Sequence, residues 1–97
     1  MAVIWQAQTR ETRFEALPLG TPAPFSHYKA VCVVDESNLN EIFRILNLWD
    51  EPEKVTLCPG VDGMASLSVG DIIQQDGGAM FQVAPVDFNP IKFDYTK

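Results

Sequence analysis

Two serines and an acid fall within six residues in "SLSVGD", Ser66 to Asp71. Hydroxyls beside a carboxylate are raw material for nucleophilic or general acid–base chemistry. The chain's other groups of that kind are few, because His27 is its only histidine and Cys32 and Cys58 are its only thiols. A serine nucleophile needs a base within hydrogen-bond reach and, in many hydrolases, a strand–turn–helix elbow that exposes it. No such elbow surrounds Ser66 or Ser68. A small hydrolase-like enzyme using Asp71 with His27 or Cys58 is therefore the remote reading, and no catalytic residue is assigned. A single histidine and the lack of a Cys-x-x-Cys pair leave a zinc site without support, so neither a metal nor a cofactor is expected. The mechanical reading is stronger. Leu67 and Val69 alternate with Ser66 and Ser68, Gly70 permits a tight bend, and Asp71 stands where its carboxylate can accept hydrogen bonds from backbone amides. Asp71 is thus expected to be structural, bonded to amides near the bend rather than aimed into a pocket.

The elements that would position this bend can be read along the chain. Period-two alternation in "AVIWQAQT" (Ala2 to Thr9) predicts a half-buried first strand. Residues 10–26, with three prolines and a glycine in "LPLGTPAPF", predict an extended surface loop. "HYKAVCVVD" (His27 to Asp35) is rich in β-branched and aromatic residues and predicts a central strand. In "DESNLNEIFRILNLW", Asp35 or Ser37 is expected to cap a helix whose core-facing stripe is Leu39, Ile42, Phe43 and Leu46. Ile45 then lies on one flank, Trp49 on the same flank, and Leu48 nearly opposite the stripe. These three form the candidate partner-binding patch, ringed by Glu41, Arg44 and Asp50. The opposing reading has the helix stop near Asn47 and turn Leu48 and Trp49 back onto the core, or has the proline-rich loop cover them. "KVTLC" predicts a short strand, and Asp71 to Gln75 and Ala79 to Ala84 a hairpin around Asp76-Gly77-Gly78. "PIKFDYT" predicts a final strand. The order β-β-α-β-β-β-β makes a single α+β domain over residues 1–97, one amphipathic helix on a mostly antiparallel sheet that could curl toward a barrel.

The same residues carry a resemblance. "NEIFRILN" matches a helical "hxxhFxxhN" pattern, Ser66 to Ile72 match a "SLSVGD-I" signature, and "FQVAPVDFNPI" (Phe81 to Ile91) matches a closing aromatic segment with Phe88 in the aromatic place. Together they resemble the YodL-like small domains over roughly residues 29–91. Asp87 departs from the pattern, which has glycine there. The resemblance implies a small, non-enzymatic protein of phages or mobile elements. It carries no catalytic residue across, and implies that Ser66, Ser68, Gly70, Asp71 and Phe88 belong to a folding signature.

Charge narrows the partners. The formal net charge is −6, and residues 35–91 hold ten acids against Arg44 and Lys54. Such a surface repels phosphate backbones, so direct nucleic-acid binding is not expected, whereas a basic protein partner is electrostatically favoured. No apolar run reaches the ~20 residues of a membrane span. The chain's start lacks a signal-like basic segment, and the cysteines suit a reducing compartment, Cys32 as a core thiol and Cys58 as a turn thiol. A cytoplasmic location is expected. A chain of this size buries a limited fraction of its surface, so a protein partner, or a second copy in a homodimer, would add stability. The leading expectation is a protein-binding module that occupies a host protein's surface. The alternative is an acidic DNA mimic that blocks a nucleic-acid-binding defence protein.

Overall fold

The computed structural model describes residues 1–8 and 15–97. Thr9 and residues 10–14 of the expected loop lie outside the described residues. The strands are β1 (Ala2–Ala7), β2 (Ala23–Pro24), β3 (Tyr28–Val34), β4 (Val55–Leu57), β5 (Ile72–Gln75), β6 (Met80–Val83), β7 (Phe88–Pro90) and β8 (Phe93–Asp94), with one helix, α1 (Leu39–Leu48), after β3. Six strands form one antiparallel sheet in the order β4-β3-β1-β5-β6-β7, while β2 and β8 pair in parallel as a separate ribbon. The fold is α+β. The sheet is open rather than barrel-like, because β4 and β7 are edges that do not meet.

Both faces of this sheet are buried, and a bulge makes that possible. Ile4 pairs with Cys32 but Trp5 pairs with Ala30, so Val31 is an extra residue on β3. An inserted residue shifts the alternation of its strand. Val31, Cys32 and Val34 consequently join Ala2, Ile4, Ile73 and Val83 in the cluster that packs on Ile42, Ile45 and Leu46 of α1, while Tyr28 joins Ala7, Ala23, Ile72 and Phe93 in a second cluster. Adjacent Ile72 and Ile73 serve opposite faces. The second cluster is strongly aromatic: Phe93 lies 5.1 Å from both Trp5 and Phe25, ring centre to ring centre, and 5.5 Å from Tyr28.

Two expected elements change. The stretch read as loop contains β2 and, over Phe25–His27, a single 3-10 turn. "PIKFDYT" is not one strand, because Pro90 ends β7, the partner of β6, and the chain then crosses to pair with β2 as β8. The β5–β6 hairpin forms around Asp76, Gly77 and Gly78 as expected, with both glycines at positive φ.

The helix departs from its expected register. Its cap is Asn38 rather than Asp35 or Ser37: Asn38 Oδ1 accepts from the Glu41 amide at 3.1 Å. The amides of Ser37 and Asn38 just before the helix donate to the Glu36 carboxylate at 2.9 and 3.1 Å. Ile45 is fully buried whereas Phe43 is 38% exposed. At 100° per residue the buried arc is centred on Ile42, with Ile45 and Leu46 to either side, and this leaves Phe43 at its margin. Each such Ile or Leu contributes about 1.5–3 kcal/mol by leaving water.

Glu36 and Glu51 tie the ends of α1 to the chain around it. Backbone amides of Asn38 and Ser37 hold Glu36 below its ordinary carboxylate value, and the Arg44 guanidinium, aided by Lys54, does the same for Glu51. A carboxyl group depressed in the folded state contributes stability that is complete above its unfolded value, 4.5 here, and is lost as pH falls through the folded values. The thermal midpoint is therefore expected to be level from about pH 7 to 5 and to fall below it, and Glu36→Gln to shallow that fall. A midpoint equally steep in wild type and Glu36→Gln would show that this carboxylate is not a source of the acid sensitivity.

Candidate functional site

The segment from Ser66 to Asp71 closes a tight turn whose third residue is Gly70, at φ 98°. The Asp71 amide donates to the Ser68 carbonyl at 3.0 Å, and the Asp71 carboxylate returns the bond by accepting from the Ser68 amide, also at 3.0 Å. Asp71 is 4% exposed. Its oxygens also accept from the Ala7 amide at 3.3 Å and the Gln6 side-chain amide at 3.2 Å. Gln6 further donates to the Ala65 carbonyl at 2.9 Å, so the long segment after β4 is tied to β1. Leu67 is buried beneath the turn in the helix-side core.

On the opposite face the carbonyl of Gly70 accepts from the Tyr28 hydroxyl at 2.8 Å and from Gln82 Nε2 at 3.2 Å. Gln82 Oε1 in turn accepts from the Leu17 amide at 2.8 Å, which attaches the proline-rich segment. Burial raises the Tyr28 pKa and keeps its hydroxyl a donor. A buried amide side chain is costly unless bonded on both ends, and Gln82 is. Sequence reading missed Gln6 and Gln82. Their signal was present only as an amide set among apolar residues of a strand, "VIWQA" and "MFQVA".

Asp71 does border a cleft, contrary to the expectation that it avoids one. The cleft holds about 220 Å³ and lies between the β1–β3 face and the segment from Val61 to Ser68, with Gln8 and exposed Lys29 on its walls. The expectation that Asp71 bonds to backbone amides is met at Ala7 and Ser68. Ser66 contributes its carbonyl, which lies 3.5 Å from both Gln6 Nε2 and Ser68 Oγ. The other candidates for chemistry stand apart from these bonds. His27 Nδ1 is buried without a hydrogen-bond partner among the described residues, Cys58 follows β4 with its amide on the Val31 carbonyl, and Cys32 is buried with its thiol pushed up to about 12 by desolvation. A thiol so high in pKa is a poor nucleophile. Both cysteines are free.

The second candidate surface is the outer side of α1. Ile45 drops out of the expected patch because it is core, whereas Leu48 is 67% and Trp49 37% exposed. The helix runs through Leu48, and Trp49 ends it in a left-handed conformation, φ 55°, with its amide on the Ile45 carbonyl. Glycine takes that conformation freely, while a bulky residue there costs roughly 1–2 kcal/mol. Arg44 fixes the rim. Its guanidinium bonds Glu41 at 2.6 Å, Glu51 at 2.6 Å and also Asp50, joining the helix to the chain that follows it. Phe88, the aromatic of the closing segment, lies edge-on to Phe43 with ring centres 6.3 Å apart. Asp87 before it has φ 66°, and its carboxylate accepts from the Phe88 amide at 2.9 Å.

Comparison of the chain with protein-family models, with curated proteins and with solved structures yields no match.

Removing the Asp71 carboxylate strands the donors of Gln6, Ala7 and Ser68. Asp71→Ala is expected to lower unfolding stability by about 2–3 kcal/mol in urea, and Asp71→Asn, which keeps one acceptor oxygen, by less. An unchanged urea midpoint in Asp71→Ala would show that the turn does not rely on these bonds.

Proposed function

We propose that this chain is a small protein-binding module that docks through the outer side of α1 and its end, a reading in which it acts by occupying another protein's surface. The observation that carries it is the exposure of Phe43, Leu48 and Trp49 on one ten-residue helix and the residue that ends it. Apolar side chains inside a charged rim are the usual make-up of an anchoring surface. Strain marks two points of this side, since Trp49 at the helix end and Asp87, which adjoins Phe88 beside Phe43, are the two non-glycine residues at positive φ among the described residues. The engagement of Asp71 with Gln6, Ala7 and Ser68 favours a binding role over a catalytic one. No helix among the described residues is long and apolar enough to cross a membrane.

Leu48 supplies the test because its side chain is largely solvated. Leu48→Ser is expected to shift the thermal midpoint by no more than a surface substitution does, within about 0.5 kcal/mol, yet to weaken capture of a partner from lysate of the producing cells by about tenfold. Trp49→Ala is expected to weaken capture as well, with some loss of stability from its covered part. Partners captured equally by wild type and both variants would overturn this surface. Partners displaced by duplex DNA and by salt, but indifferent to Leu48, would favour the acidic DNA mimic instead.

A further inference from the structure

Beside Phe43 a groove of about 210 Å³ opens between α1 and the segment joining β6 to β7, lined by Asn40 and Phe43 of the helix and by buried Val83, Pro85, Asp87 and Phe88. Asp87 is its one charged lining residue. One carboxylate oxygen of Asp87 is held by the Phe88 amide, and the residue is exposed with no cation in ion-pair reach among the described residues. The two basic residues of the acidic stretch are unavailable to it, since Arg44 is engaged by Glu41, Asp50 and Glu51, and Lys54 by Glu36 and Glu51. The groove therefore sets apolar side chains beside a negative charge that no cation among the described residues compensates.

The neighbouring sheet edge restricts how a partner can enter. The bonds from the Ala84 amide to the Asp87 carbonyl and from the Ile91 amide to the Met80 carbonyl set the alternation along β7, so Phe88 and Pro90 turn their main-chain groups outward. The Phe88 amide is already taken by Asp87, and proline has none. An incoming strand would find acceptors without donors, which disfavours strand addition. Recognition must then run through side chains.

We infer that this groove takes a segment of a partner protein that presents one large apolar side chain with a lysine or arginine next to it, the apolar group between Phe43, Phe88 and Pro85 and the cation on Asp87. The inference rests on the docking role of α1 proposed above and adds the chemistry of what docks. It can be tested without the natural partner. The probes are the peptides acetyl-Ala-Phe-Arg-amide and acetyl-Ala-Phe-Glu-amide, titrated into the ¹⁵N-labelled protein. Amide signals of Phe43, Ala84, Val86, Asp87 and Phe88 are expected to move, with the arginine peptide binding about threefold to fivefold more tightly, the size of a rim ion pair. Asp87→Asn, whose side chain also tolerates the left-handed backbone, is expected to abolish the preference while leaving the spectrum of a folded protein. Equal binding of the two peptides, shifts centred elsewhere, or no shift would overturn the groove's assignment. Failure here with capture still dependent on Leu48 removes this inference alone. Charge-selective binding here with capture indifferent to Leu48 and Trp49 removes the helix-end surface instead.

Discussion

The carboxylate of Asp71 sits where the two halves of this molecule are joined. On the helix side it accepts from the amides of Ala7 and Ser68 and from Gln6, pinning the long segment after β4 onto β1. Directly before it, the carbonyl of Gly70 accepts from Tyr28 and Gln82 on the other side. A six-stranded sheet with a core on each face needs such a junction, because the chain must pass from one face to an edge without leaving buried polar groups unpaired. The low dielectric strengthens every bond of the network and would make each unpaired member expensive. Leu67 packs into one core and Ile72 into the other, so both clusters depend on the turn between them.

That placement bears on function through what it uses up. The Asp71 carboxylate is taken up by Gln6, Ala7 and Ser68, and the neighbouring serines join the turn chiefly through main-chain groups, the Ser68 amide and the Ser66 carbonyl. The outer side of α1 differs. There the ion pairs of Arg44 organise a rim, while Phe43, Leu48 and Trp49 keep contact with water. The docking role proposed for this side rests on those exposed side chains.

How far the sequence disclosed this varies with the physical signal. The helix, the β5–β6 hairpin and the turn at Gly70 follow from short-range chemistry, and their local patterns survive tertiary context. The orientation of α1 was half legible. Leu39, Ile42 and Leu46 were placed inward, but the choice between Phe43 and Ile45 hinged on some tens of degrees that only the shape of the sheet decides. The bulge at Val31 left no mark, since "YKAVCVV" reads as an uninterrupted strand whichever face each residue takes. The β2–β8 ribbon was hidden for another reason. Two-residue parallel strands carry no periodicity, and Pro24 argued against a strand. Gln6 and Gln82 were invisible as a network because their partners lie 65 residues away, at Asp71 and Leu17.

Native-state hydrogen exchange tests the junction most directly. If the turn at Asp71 holds both faces, the amides of Ala7, Ser68, Gly70 and Asp71 must open only with the whole molecule, and their exchange free energies in low denaturant will equal those of Ile4 and Ile73 at the centre of the sheet. Exchange of Ser68, Gly70 and Asp71 at loop rates while Ile4 and Ile73 stay protected would contradict the account, because the turn would then be a passenger on a sheet that stands without it.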